Sequence, residues 1–107
     1  MTSFDKREES FEKKFAMDEE LRFKAMARRD KLLGLWAAEK LGLSGAEAEA
    51  YAKALVISDV EHPGEDDVFR RIRADFDAKS VAQSDHQIRR TMDELMVEAV
   101  AQIRAAT

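Results

Sequence analysis

Apolar side chains recur along this chain at three- and four-residue spacing in four blocks, and caps or stops separate the blocks. The first block runs from about Phe4 toward Leu41, where Gly42 is a natural carboxy-terminal stop. Its second half carries a wide apolar face, Leu21, Met26, Leu32, Leu33, Leu35, Trp36, Ala37 and Leu41, with Glu20–Lys24 and Asp18–Arg22 pairs at four-residue spacing. Ser44-Gly45-Ala46-Glu47 reads as a capping box that opens a second helix to about Val60, with Ala48, Tyr51, Ala52, Leu55 and Val56 inward. The β-branched run Leu55-Val56-Ile57 follows an alanine-rich stretch and has no partner strand, so it stays helical.

Pro63 turns His62 away from helical geometry, and Glu65, Asp66 and Asp67 then suit the amino-terminal end of a third helix that reaches about Lys79. Val68, Phe69, Ile72 and Phe76 form its inner face. Ser84-Asp85-His86-Gln87 makes a second capping box, and Ile88, Met92, Leu95, Met96, Ala99, Val100 and Ile103 follow as the most regular amphipathic stripe in the chain. These faces predict an all-α fold, a compact four-helix bundle over residues 18–107.

The first seventeen residues differ in kind. Eight of the ten residues from Asp5 to Lys14 are charged, and the large apolar groups near them are Phe4, Phe11 and Phe15, spaced seven and four apart. So narrow a stripe buries little, and a helix this short is marginal in water. Residues 1–17 are therefore expected to form a flexible amino-terminal arm that needs a partner to order. A core has no use for three phenylalanines on a charged tail, and aromatics at that spacing read as anchors for a helix laid in a groove.

Composition narrows the functional classes. The chain has 107 residues, no cysteine and one proline, with 37% charged residues and a net charge of -4. Absence of cysteine removes disulfides, thiolate metal sites and thiol nucleophiles together. No apolar run approaches the roughly 20 residues of a membrane span, and the charged start lacks a secretory apolar region, so a soluble cytoplasmic protein without direct membrane insertion is expected. Acidity and the lack of a basic, aromatic-bearing stripe argue against nucleic acid.

No nucleophile–base pair, metal cluster or glycine-rich phosphate cradle is spelled out, so neither enzyme nor cofactor is expected. Asp59, Glu61, His62, Glu65, Asp66 and Asp67 gather in sequence, yet as a solvated loop they serve the next helix dipole better than a cation. His86 reads as a surface residue at a helix start. Arg70, Arg73, Arg89 and Arg90 could together form a patch for a phosphate or nucleotide, which would bind weakly. Lys24, Arg28, Arg29 and Lys31 read as a solvated basic face, and Trp36 as a core anchor.

The words Phe4-Asp5-Lys6-Arg7-Glu8, Phe11-Glu12-Lys13-Lys14-Phe15-Ala16 and Phe23-Lys24-Ala25, then the long block from Ala27 through Leu43 and Ala50-Tyr51-Ala52-Lys53, resemble the zeta subunit, the alphaproteobacterial inhibitor of F-type ATP synthase. The resemblance covers essentially the whole chain and is strongest through Leu43. It implies a small four-helix protein whose amino-terminal segment enters a catalytic interface of the synthase head, made of alpha, beta and gamma subunits, at the cytoplasmic face of the inner membrane. There it blocks ATP hydrolysis more than synthesis. Carried onto this sequence, Phe4, Phe11 and Phe15 are the apolar anchors, and Asp5, Lys6, Arg7, Glu8 and Lys14 are the polar contacts. A helical adaptor or nucleotide-sensing regulator with another protein partner is the alternative.

Overall fold

The structure, a computed structural model, describes residues 19–106. They form four helices, α1 Glu19–Lys40, α2 Gly45–Glu61, α3 Glu65–Ala78 and α4 Asp85–Ala106, with no strand among the described residues. The fold is all-α, as the apolar periodicity predicts. Leu55, Val56 and Ile57 lie within α2.

The core draws on every helix. Leu33 and Ala37 of α1, Leu55 of α2, Val68, Ile72 and Phe76 of α3, and Ile88 and Met92 of α4 are buried together, with Trp36, Leu41, Tyr51 and Phe69 packed around them. Trp36 meets Phe76 edge-on with ring centroids 5.7 Å apart, so it anchors the core as expected. The helices do not contribute equally. α1 is the hub, packing chiefly against α2 and α4, while α3 is the shortest helix and touches its neighbours less.

Close approach of α1 and α2 depends on small residues. A Cβ at Gly34 would stand 2.5 Å from Ala52 Cα and 2.9 Å from its Cβ, so the backbones meet where neither helix has a large side chain.

The stops and caps follow specific hydrogen bonds. After α1, Gly42 takes φ +80°, Leu43 N–H donates to Ala38 C=O at 2.9 Å and Gly42 N–H to Glu39 C=O at 3.1 Å, which is a Schellman motif. α3 ends the same way with Ser80, at φ 58°, in place of glycine; Val81 N–H donates to Phe76 C=O at 2.8 Å and Ser80 N–H to Asp77 C=O at 3.2 Å. Ahead of α4, Gln87 N–H donates to Ser84 Oγ at 3.1 Å while Ser84 N–H donates to Gln87 Oε1 at 2.9 Å, the reciprocal box that the sequence spells. The Ser44 box does not form: its side chain makes no cap bond, and the Ser44 carbonyl accepts from Glu47 N–H instead.

Candidate functional site

The residues that the sequence marks for partner contact, Phe4, Asp5, Lys6, Arg7, Glu8, Phe11, Lys14 and Phe15, lie outside the described residues, as does Asp18 of the expected Asp18–Arg22 pair. Just after them, α1 opens with Glu19 and Glu20, two acids in the first turn where the helix dipole favours them. Lys24 Nζ sits 3.2 Å from Glu20 Oε1 across an exposed turn.

The four arginines of the expected anion patch lie on α3 and α4, each engaged by carboxylates. Arg73 donates to Asp77 at 2.8 Å, to Asp85 at 3.1 Å and to the Gln83 carbonyl, tying the end of α3 to the start of α4. Those hydrogen bonds, Asp77 foremost, raise its already high pKa. Arg89 lies 4.0 Å over the Phe69 ring and donates to Asp66 at 3.2 Å, at the other end of α3. Arg90 donates to Glu94 at 3.0 Å, and Arg70 approaches Asp67 at 3.9 Å. Asp66 and Asp77, which hold Arg89 and Arg73, are eleven residues apart on α3, roughly 16 Å along its axis. Arg73 and Arg89 join α3 to α4 at opposite ends of α3, whereas Arg70 and Arg90 pair within their own helices.

The acidic loop divides. His62 is exposed, as is His86, but Asp59 turns inward from α2 and is buried. Among the described residues no group of three or more His, Cys, Asp or Glu side chains is arranged to hold a metal ion.

Asp59 instead belongs to a buried charge cluster that the sequence reading did not find. Arg29, expected on a solvated face, is 2% exposed and Asp30 is 1% exposed. Arg29 Nε and Nη2 each lie 3.0 Å from Asp30 Oδ1. Lys24, Arg28 and Lys31 are exposed as expected, and Arg28 donates to Gln102 of α4 at 2.9 Å. Asp30 is pushed up to about 8, first by burial and then by its hydrogen bond and proximity to Asp59, while Arg29 pulls the other way. Asp59 Oδ1 is buried and meets no donor from the ionised groups around it, so a proton kept on Asp30 supplies the missing hydrogen.

A signal for this cluster was present in the spacing. Ala25, Arg29, Leu33 and Ala37 fall four residues apart on one line of α1, and Leu55 and Asp59 do the same on α2. A charged side chain in the middle of an apolar line is placed inward by its neighbours.

Across the seam of α2 and α3, Tyr51 Oη donates to Asp75 Oδ2 at 2.6 Å, and burial together with that bond pushes the phenol upward.

The comparison with known proteins agrees with this architecture. The profile of the ATPase inhibitor subunit zeta family matches residues 1–102. The chain belongs to that family. Members of the zeta family regulate an ATPase rather than catalyse a reaction, which agrees with the absence of a catalytic constellation in the sequence, and the family implies an ATP synthase as partner. A solved solution NMR structure is 44% identical over 81% of this chain and 99% of its own, with a TM-score of 0.70. No curated protein matches. No helix among the described residues is long and apolar enough to cross a membrane.

Proposed function

We propose that this zeta-family chain inhibits ATP hydrolysis by inserting residues 1–17, as a helix, into a catalytic interface of the ATP synthase head, while residues 18–107 form the folded body outside. One observation supports this reading above others: among the described residues, side chains of all four helices between Ala25 and Ile103 already bury a shared core, Leu33, Leu55, Ile72, Phe76 and Ile88 among them at 0% exposure. Phe4, Phe11 and Phe15 stand at helical spacing on a charged segment, the pattern of anchors for a groove, and the family match extends over that segment.

A helix of fourteen residues is about 21 Å long, enough to reach from an outer surface into a subunit cleft. Phe4, Phe11 and Phe15 supply the apolar contacts, and Asp5, Lys6, Arg7, Glu8 and Lys14 the polar ones. Wedged between catalytic subunits that must open and close, the helix stabilises one conformation and stops the cycle without touching nucleotide chemistry. Ordering the segment offsets part of the contact energy.

The test is ATP hydrolysis by the purified cognate head of alpha, beta and gamma subunits, titrated with three proteins. The full chain is expected to inhibit, a chain beginning at Asp18 to have no effect, and Phe11→Ala to need at least tenfold more protein for half-inhibition, as removal of a buried aromatic anchor does. Equal inhibition by the full and shortened chains would place the activity in the bundle. Inhibition by none would leave the adaptor reading, with another partner.

A further inference from the structure

Between α1 and the end of α2 the surface opens into a cavity of about 230 Å³ whose rim includes Phe23, Met26, Val60 and Pro63 and whose floor includes Asp30 and Asp59. Two features distinguish it. Phe23 and Val60 are 58% and 55% exposed, among the large apolar side chains that the bundle leaves in solvent. Beneath them, Asp59 is 7% exposed, and its buried Oδ1 meets no donor but the proton kept on Asp30.

Arg29 and Asp30 come from α1 and Asp59 from α2; among the described residues, ionisation of both carboxylates would leave them one charge in excess of the guanidinium beside Asp30, while the rest of the lining is apolar. With Asp30 and Asp59 only 1% and 7% exposed, that charge is neutralised by a proton or by a cation from outside. A bare divalent ion does not suit the site, because it seeks six or more oxygen ligands and the rim supplies none.

We propose that this cavity is a docking pocket for one lysine or arginine side chain of a protein partner, its alkyl stem lying on Phe23, Met26 and Val60 and its charged end meeting Asp59 and Asp30. An apolar wall above a buried carboxylate matches the two halves of such a side chain. The exposed aromatic at the rim and the dry floor are the anatomy of an interface anchor point. Entry of the cation displaces the proton that Asp30 otherwise keeps, so one proton leaves for each side chain bound. The pocket does not require that residues 1–17 inhibit a synthase.

The test uses the full chain and n-hexylammonium as a mimic of the lysine side chain, followed by amide NMR shifts at Ala27, Asp30, Asp59 and Val60. Saturable shifts at those amides are expected, with Kd falling up to tenfold from pH 6.5 to 7.5 as the proton becomes easier to displace. Neutral n-hexanol is expected to bind at least tenfold more weakly. Asp59→Asn is expected to abolish the response, and Val60→Lys, on an exposed position near the end of α2, is expected to fill the pocket from within and abolish it with the bundle intact. Equal binding of hexanol, or unchanged binding by Val60→Lys, would overturn the proposal. Shifts that appear only after Lys6, Arg7, Lys13 and Lys14 are all replaced by Gln would overturn it too, by assigning the pocket to the chain's own first residues.

Discussion

Asp30 keeps a proton through neutral pH because burial and Asp59 both oppose its ionisation, with Arg29 alone acting the other way. Its pKa is raised from 3.8 to about 8 on folding, so between those values the native state holds a proton that the unfolded state has lost. This contribution to stability is complete below pH 4, declines by up to about 1.4 kcal/mol per pH unit as pH rises toward 8, and levels off above that. Asp30→Asn keeps a donor for Asp59 but cannot ionise. Urea unfolding from pH 5 to 8.5 is expected to show the wild type losing stability and the variant staying nearly level, with the variant at least as stable at the alkaline end. A wild type that is level over this range, with the variant weaker throughout, would mean that Asp30 is ionised beside Arg29. Ser80 offers a second test at this scale. It holds φ 58° at the end of α3, a region that costs a residue with a Cβ about 1 kcal/mol. Ser80→Gly is expected to raise the urea midpoint by an amount equivalent to about 0.5–1 kcal/mol.

α1 and α2 approach closely where Gly34 faces Ala52. A methyl at position 34 meets backbone, which cannot rotate away, so Gly34→Ala is expected to push the helices apart and cost about 1–3 kcal/mol despite alanine's better helix propensity. A lower thermal midpoint with unchanged far-ultraviolet helicity would check it. At this scale the sequence was legible wherever local chemistry decides. Gly42 and the Ser84–Gln87 pair announce a stop and a start, and both form as spelled. Ser44–Glu47 spells the same box, but Ser44 caps with its carbonyl alone, and nothing in the four-residue word distinguishes the two cases. Ser80 sits in a glycine's conformation with no glycine to announce it. Arg29, Asp30 and Asp59 were illegible for a different reason. Composition counts a charge as a surface group, and only the four-residue line through Ala25, Leu33 and Ala37 indicates that Arg29 points inward. The four arginines of α3 and α4 were legible as a group, and Asp67, Asp77 and Glu94 stand at helical spacing from Arg70, Arg73 and Arg90, whereas the contacts of Arg73 with Asp85 and of Arg89 with Asp66 depend on how the helices pack.

For the whole molecule, the division between a segment for a partner and a body that folds alone makes a claim about stability as well as inhibition. Among the described residues, the core cluster runs from Leu33 to Met92, the outlying buried residues extend it to Ala25 and Ile103, and the Schellman stops and the Ser84 cap lie within that span. If residues 1–17 carry inhibition and not folding, a chain beginning at Asp18 is expected to melt within about 2 °C of the full chain, since about 1 kcal/mol moves Tm by some 4–8 °C in a domain of this size. It is also expected to keep the same urea dependence, because the slope follows the surface exposed on unfolding and the first seventeen residues would add little to it. A drop of 5 °C or more, or a clearly smaller slope, would mean that the segment packs on its own bundle. Its phenylalanines would then have to leave that surface before reaching the synthase, and the free energy of their release would weaken inhibition.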